Sequence, residues 1–239
     1  RNLYTYTGTS SLLTHSSNAF TTTNGALTFS LFNLSNDTEK DNLINYTHGY
    51  DSYSPTPTNK RDWMLGDILH SRPTVVHYSV SRSVVYVGAN DGMLHAFEDS
   101  TGEELWGFVP TDLLGSLKNT VTGATHPYYV DASPRTFIID ANGNGTISAA
   151  EGDKVVLIFG ERRGGSSYYA LDVTTPETPS ILWRIGATIT ATEPDVGSVW
   201  DDTELGQSWS EPEIIRVIIG SETKYIFLIG GGYDTLSED

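Results

Sequence analysis

The sequence predicts an all-β fold, namely a partial β-propeller of four-stranded antiparallel blades with one short helix near the N-terminus. Three observations predict this fold. From Trp63 onward, short runs of β-branched and aromatic residues are spaced by Gly, Pro, Asn and Asp, which is typical of many short antiparallel strands. A proline-led strand pattern recurs in three copies, and each copy is followed by a second apolar run that ends in glycine.

Residues 1–62 precede the repeats and predict two strands. Alternating apolar positions indicate one strand at Leu3–Tyr6 and a second at Ala26–Phe32, with a Ser/Thr/Asn-rich loop between them. We expect this segment to lead into the propeller, which is assigned to residues 63–239.

A capping pattern follows these two strands. Asn36 and Glu39 are spaced as in a capping box, in which both side chains bind free amides at the start of a helix. Gly49 suits the end of that helix, so the pattern predicts a short helix at Asp37–His48. Two prolines make Tyr50–Lys60 a surface connection.

Each repeat opens with two strands. The first strands begin at a proline and lie at Pro73–Val76, Pro134–Phe137 and Pro212–Ile215. The second strands end in glycine and lie at Val84–Gly88, Val155–Gly160 and Tyr225–Gly230.

The first two repeats continue for two more strands each. Third strands are predicted at Met93–Phe97 and Ser167–Val173, and tryptophan-bearing fourth strands at Leu105–Trp106 and Leu182–Trp183. The chain therefore supplies two complete blades and a truncated third, and we expect a longer protein to complete the ring. The two tryptophans are expected to pack between blades.

Composition excludes several classes of function. The formal charge of −16, with only 14 Lys and Arg, disfavours nucleic acid and anionic membrane surfaces as partners. Without cysteine there is no disulfide, thiolate metal site or cysteine nucleophile. No apolar run reaches the roughly 18 residues of a membrane span. Abundant Ser, Thr, Asn, Gly and Tyr favour an exported protein.

The main candidate site is a loop inserted between the first two strands of the second blade. Its sequence, Asp140–Glu151, matches the calcium loop of EF-hands, in which oxygen ligands stand at positions 1, 3, 5, 7, 9 and 12. The corresponding ligands are Asp140, Asn142, Asn144, the Thr146 carbonyl, Ser148 and Glu151, with Asp153 as a possible substitute for Glu151. Gly145 stands at the sharp turn and Ile147 at the apolar anchor.

Another interpretation of this loop stays open. Asn-Gly repeats are also a strong hairpin signal, so the segment could be a long polar turn without a metal. Because strands flank the loop, we expect a bound Ca²⁺ to stiffen it without the helix opening of calcium sensors.

The other polar groups predict no chemistry. The six histidines lack metal-ligand spacing and are interpreted as structural. Glu161–Gly165 is expected to be an exposed loop at the rim of a blade, more often solvated than bound to a partner. The acidic pairs Glu103–Glu104 and Asp201–Asp202 are interpreted as solvated turns.

Two families share the segment Tyr86–Phe97 and its continuation Thr101–Trp106. Pyrroloquinoline quinone dehydrogenases have blades with a similar tryptophan-docking turn. Here Glu98 replaces the usual aspartate of that turn, and the cysteine pair that those enzymes use is absent. The sequence therefore favours a structural relationship to these enzymes over a shared activity.

The chain more closely resembles the C-terminal domain of the PilC/PilY proteins of type IV pili. The motifs that carry this resemblance occur in the family's order, at Leu43–Tyr46, Leu65–Pro73, Trp106–Pro110, Tyr168–Thr174 and Gly230–Asp234. Family members also have a calcium loop after the strand that corresponds to Phe137–Asp140. At position 9, where the family often has aspartate, this chain has Ser148, so Glu151 or Asp153 must supply the last carboxylate.

The resemblance implies a non-enzymatic, extracellular protein at the tip of a type IV pilus. It would support pilus assembly, control retraction and mediate adhesion, with Ca²⁺ as its cofactor and regulator. Its implied partners are pilin or minor pilin subunits, and a host or abiotic surface bound through regions outside this chain.

Overall fold

The computed structural model of the chain describes residues 1–122, 126–186 and 205–233. Its strands are β1 (Leu3–Tyr4), β2 (Thr74–Ser79), β3 (Arg82–Gly88), β4 (Leu94–Glu98), β5 (Glu104–Phe108), β6 (Arg135–Ile139), β7 (Lys154–Gly160), β8 (Tyr168–Asp172), β9 (Ser180–Ile185), β10 (Glu213–Ile219) and β11 (Glu222–Leu228). The helices are α1 (Asp37–Thr47) and the single turn α2 (Asn119–Thr122), with short 3₁₀ turns at Ser16–Asn18, Phe29–Phe32, Thr111–Ser116, Ala149–Glu151 and Arg162–Gly164.

The strands form two antiparallel meanders and a hairpin, as the repeat predicts. One sheet has the order β1-β5-β4-β3-β2, the second has β6-β7-β8-β9, and β10 pairs with β11. Each meander is a four-stranded blade unit, and the hairpin supplies the first two strands of a third unit. The predicted all-β propeller class is confirmed, and so is its single substantial helix near the N-terminus.

The helix α1 is set by its caps. The Asn36 side chain accepts the Glu39 N–H at 3.0 Å, as the capping pattern predicts. The Glu39 carboxylate, however, accepts a 3.4 Å bond from the Ser35 N–H, one residue earlier than in a capping box. Gly49 follows the helix with φ +92°, in the left-handed conformation that terminates many helices.

The N-terminal segment differs from the prediction in two ways. The first strand is confirmed only at Leu3–Tyr4, where it pairs in parallel with β5 and extends the first blade by one strand. The predicted strand at Ala26–Phe32 is wrong, since Phe29–Phe32 forms a 3₁₀ turn. Leu27 and Phe32 are both buried, and residues five apart on a strand point to opposite faces, so the apparent alternation was misleading. A domain boundary at residue 62 stays a prediction.

Close packing between units explains the glycine at the end of the second strand in the first two units. A Cβ on Gly88 would collide with the Val130 carbonyl in the linker that enters the second blade. A Cβ on Gly160 would lie 2.9 Å from the Ser208 carbonyl in the linker to the third unit. In these two units the closing glycine therefore marks the point where one blade touches the backbone that leads into the next, whereas a Cβ on Gly230 would meet only ordinary contacts.

The tryptophans of the fourth strands lie between units, as expected. Trp106 is buried and donates its indole N–H to the Pro176 carbonyl of the second blade at 2.7 Å. Trp183 stacks on Phe227 of β11 with ring centroids 4.5 Å apart. These contacts make one indole per blade part of the seam with the next unit.

Candidate metal centre

The predicted calcium loop lies between β6 and β7, which are joined at the base of the loop by the pair Ile139 and Lys154. Left-handed φ values of +70° at Gly143 and +76° at Gly145 turn the chain sharply. Ile147 donates its N–H to the Tyr78 carbonyl of β2 at 2.9 Å and packs partly buried against the core. Its predicted role as the apolar anchor is confirmed, and the contact fastens the loop to the first blade.

Asp140 organises the first half of the loop. Its carboxylate accepts backbone N–H bonds from Gly145 at 2.8 Å, Gly143 at 2.7 Å and Asn144 at 3.2 Å. The bond from Gly145, followed by the others, lowers the pKa of Asp140 below its usual value. The carboxylate is therefore held ionised at the centre of a tight turn.

Hydrogen bonds connect the other side-chain ligands to this turn. Asn142 Oδ1 accepts the Asn144 N–H at 3.0 Å, and Asn144 Oδ1 accepts the Thr146 N–H at 2.7 Å. The Asn144 side-chain amide also donates to Glu151 Oε2 at 3.1 Å, across the loop. Hydrogen bonds thus bring Asn142, Asn144 and Glu151 together with Asp140.

Two other predicted ligands, Thr146 and Ser148, differ in the hydrogen bonds that their carbonyl groups accept. In the described part of the chain no hydrogen bond reaches the Thr146 carbonyl. The Ser148 carbonyl accepts the N–H groups of Glu151 and Asp153, at 3.0 and 3.3 Å. These bonds form the short turn that returns the chain to β7.

Asp153 has a different role from that of the exposed ligands. It is fully buried, and its two oxygens accept the N–H groups of Ala141 at 2.8 Å and Ser148 at 2.7 Å. Both oxygens therefore close the base of the loop. The geometry favours Glu151 over Asp153 as the last carboxylate ligand, although Asp153 as a ligand stays a prediction.

The donor set has the chemistry that Ca²⁺ prefers. It consists of hard oxygens from two carboxylates, two amides, a carbonyl and a hydroxyl, with no nitrogen or sulfur ligand. Within residues 1–122, 126–186 and 205–233, no group of three or more His, Cys, Asp or Glu is arranged to hold a metal ion. The ligand types of this loop, all oxygen, therefore fit calcium better than zinc, which prefers nitrogen and sulfur ligands.

A buried ionic cluster was not anticipated from the sequence. His95 is fully buried and lies between Glu104 Oε1, 2.7 Å from Nδ1, and Asp91 Oδ1, 3.0 Å from Nε2. Arg1 donates two further bonds of 2.7 Å to Glu104. Glu104 is therefore not part of a solvated turn, contrary to prediction, because Arg1, which precedes β1, and His95 of β4 bind its carboxylate. The only sequence signal is a histidine inside an apolar strand.

The charges of this cluster shift each other's pKa values. Burial by itself lowers the pKa of His95, but Asp91 and Glu104 outweigh burial and raise it to about 9. Burial raises the pKa of Glu104, but the bonds and charges of Arg1 and His95 lower it to about 2. The cluster is therefore an ionised network at neutral pH, with the imidazolium between two carboxylates.

The loop Glu161–Gly165 is packed at its glutamate and its glycines, while Arg163 is exposed. Glu161 is fully buried, and burial, followed by the charge of Asp112, raises its pKa well above the usual value. A Cβ on Gly164 would collide with the Tyr129 carbonyl, and one on Gly165 with the Glu161 carboxyl group. The expectation of an exposed loop is therefore wrong for its glutamate and glycines, because the linker before β6 packs directly against them.

Two findings limit other interpretations of the chain. No helix among the described residues combines the length and apolar character needed to cross a membrane. The predicted acidic turn at Asp201–Asp202 lies outside the described residues.

Comparison with known proteins identifies similar sequences. The family described as the PilY1 beta-propeller domain matches residues 74–239. The type IV pilus biogenesis factor PilY1 of Pseudomonas aeruginosa PAO1 is 32% identical over 206 residues, which cover 74% of this chain and 16% of that protein. A PilY1 homolog of Xylella fastidiosa is 30% identical over 230 residues, which cover 82% of this chain and 17% of the homolog.

A solved structure is also similar. The crystal structure of the P. aeruginosa PilY1 C-terminal domain shares 31% identity, covers 66% of this chain and 26% of that chain, and superposes with a TM-score of 0.42. The present chain spans about a sixth of the length of the curated relatives it matches.

Proposed function

The chain belongs to the PilY1 β-propeller family, and we propose that it is the calcium-binding propeller of a type IV pilus tip protein. In this proposal the propeller supports pilus assembly, control of retraction and surface adhesion. The family membership supports the connection with pili. The loop at Asp140–Glu151 supports the role of calcium, and this loop is the observation that carries the proposal.

The loop would bind Ca²⁺ through residues that its hydrogen bonds hold near one another. Asp140, Asn142, Asn144 and Glu151 would supply side-chain oxygens, and Thr146 its unengaged carbonyl. Bound Ca²⁺ would supply positive charge at a site where carboxylates and amides converge. Because Ile147 is bonded to Tyr78, the ordered loop would also strengthen the contact between the first two blades.

The proposed role is structural and regulatory, without an enzymatic reaction. The relatives are named as pilus biogenesis factors and not as enzymes. The proposed location is the extracellular pilus tip, where pilin or minor pilin subunits would be the immediate partners. Adhesion to a host or abiotic surface would use regions of the longer protein outside this chain.

The calcium site is tested by calorimetric titration of the 239-residue chain with Ca²⁺. Replacing Asp140 with alanine should abolish one-site binding and leave the fold intact, since the loop is an exposed insertion. A matched control is Glu103→Ala, which removes an exposed carboxylate from a different turn and should bind Ca²⁺ like the parent. Absence of binding in the parent chain would reduce the segment to a polar hairpin loop.

The pilus role is tested separately in cells that produce the full-length protein. Sheared pilus preparations should contain it, and the Asp140→Ala variant should alter retraction-driven motility. A full-length protein that never co-purifies with pili would refute the proposed location. Dye reduction after addition of pyrroloquinoline quinone would refute the non-enzymatic role.

A further inference from the structure

A polar cleft of about 390 Å³ lies at the opposite end of the β6–β7 hairpin from the calcium loop. The residues that define its chemistry are His70, Arg72, Asp131, Arg162, Trp209 and Glu211. Arg72, Asp131 and Glu211 each stand a few residues before the first strand of their unit, so three successive units contribute to the cleft. Loops at the ends of strands are common binding positions on a rigid scaffold.

The cleft and its rim contain more cationic than anionic groups, although the whole chain is strongly acidic. Glu211 is shared between two guanidinium groups, those of Arg72 and Arg135. Asp131 is buried and is engaged by His70 Nδ1 at 2.8 Å. Each carboxylate is thus already bound by a neighbour, and positive charge is left over.

Arg162 is the cation of the cleft whose side chain donates no hydrogen bond among the described residues. Its guanidinium lies over the Trp209 ring, 4.7 Å from the ring centroid. The nearest carboxylate oxygen, on Asp131, is 3.8 Å away, beyond hydrogen-bond distance. Among the described residues no acceptor takes a hydrogen bond from its side chain, which is only 27% exposed. Arg162 therefore lines the cleft with a guanidinium that can still donate hydrogen bonds, as far as the described residues go.

The backbone of Arg162 supports a binding role independently. Its φ of +53° is in the left-handed region, which costs free energy for any residue with a Cβ, and asparagine at position 33 is the only other such case among described non-glycine residues. The conformation is held by bonds of 3.2 Å from the Arg162 N–H to the carbonyl and hydroxyl of Ser208. Gly164, tightly packed against Tyr129, fixes the following turn. Strain of this kind is concentrated at ligand-binding sites.

We propose that this cleft binds a carboxylate-bearing ligand, with Arg162 as the anchoring residue. A planar guanidinium can bind both oxygens of a carboxylate in a bidentate pair. The nearby carboxylates of Asp131 and Glu211 would repel a doubly charged phosphate more than a singly charged carboxylate, so the monoanion is favoured. Because the loop is already held in place, little ordering entropy opposes binding.

The carboxylate could belong to an acidic sugar or to an acidic amino acid, and two pairs of probes distinguish these sources. The probes are glucuronate with glucose as its neutral control, and the α-amide of N-acetylglutamate, which keeps only the side-chain carboxylate, with the α-amide of N-acetylglutamine as its neutral control. Titrations of the 239-residue chain are followed by NMR at low salt, since the interaction is electrostatic. Saturable binding of one or both acids, with weaker binding of the neutral partner, is expected.

Variants locate the site. Arg162→Gly should weaken binding by at least about tenfold while keeping or raising the melting temperature, because glycine accepts the left-handed conformation. Arg163→Gln is the matched control, since Arg163 lies over the same Trp209 ring without lining the cleft, and it should bind like the parent.

Three outcomes would overturn the proposal. They are no saturable binding of either acid up to about 10 mM, equal binding of the neutral partners, and unchanged affinity in Arg162→Gly. Each is independent of calcium, because the cleft and the calcium loop lie at opposite ends of the hairpin.

Discussion

The buried cluster around His95 makes the stability of the chain depend on pH. The pKa of His95 is about 9 in the folded protein, compared with an ordinary value of 6.5. A raised pKa means that the folded state binds the proton more tightly than the unfolded chain. This contribution to the free energy of unfolding is fully present below pH 6.5 and is lost as the pH rises through 9. At 1.36 kcal/mol for each pKa unit, it amounts to about 3 kcal/mol.

Urea unfolding at several pH values between 6 and 9 measures this effect. The parent chain should lose about 3 kcal/mol of unfolding free energy across this range. His95→Gln should show little of that slope, and its stability at pH 6 should be lower by about 3–5 kcal/mol, because two buried carboxylates lose their shared cation. Subtracting the two profiles cancels the contributions of other titrating groups.

An exposed histidine provides the control. His77→Gln changes a side chain that lies on the surface of β2, so the slope of the parent should persist. A slope that survives in His95→Gln would refute the reasoning. An NMR titration of the His95 ring in the parent chain tests the same pKa without any variant, and an imidazole that titrates near 6.5 would refute it equally.

Two further substitutions test the packing and the loop. Asp153→Asn should destabilise the chain by about 1–3 kcal/mol even with Ca²⁺ chelated, because one of the two N–H groups that bind the buried Asp153 carboxylate loses its acceptor. Glu151→Gln should be neutral under chelation and should weaken Ca²⁺ binding in calorimetry. Equal loss of stability for both variants in chelator would contradict these separate roles. Gly88→Ala should lower the free energy of unfolding by about 1–3 kcal/mol through collision with the Val130 carbonyl, and Gly25→Ala, which has open space around it, should not. Equal thermal unfolding of these two alanine variants would count against the close approach between blades.

The repeated strands could be predicted because their signals are local. Proline before the first strand, an apolar second strand and a closing glycine occupy consecutive residues, and all three pairs of strands lie where that pattern places them. The helix α1 was predicted for the same reason, since Asn36 stands next to the turn that it caps. The strand predicted at Ala26–Phe32 was wrong because an alternation over a few residues does not show which face is buried.

The candidate loop was also predictable in part, and the rest required the folded chain. Spacing alone singled out Asp140, Asn142, Asn144 and Glu151, and the structure joins these side chains through hydrogen bonds. The spacing did not show which of Glu151 and Asp153 would be the last carboxylate ligand. That distinction depends on burial, because only the folded chain places Asp153 between the two ends of the loop.

By itself, the sequence determined the blade repeat, the calcium-like loop, the interblade tryptophans and the family, since each of these is written in short contiguous motifs. Only the tertiary structure decided the ionised cluster at His95, in which Arg1 binds Glu104 across 103 positions of the chain, and the cleft around Arg162. The cleft needs residues from separate units, which only folding brings together. The pKa values of the cluster shift only when folding removes its charged groups from water and fixes their neighbours.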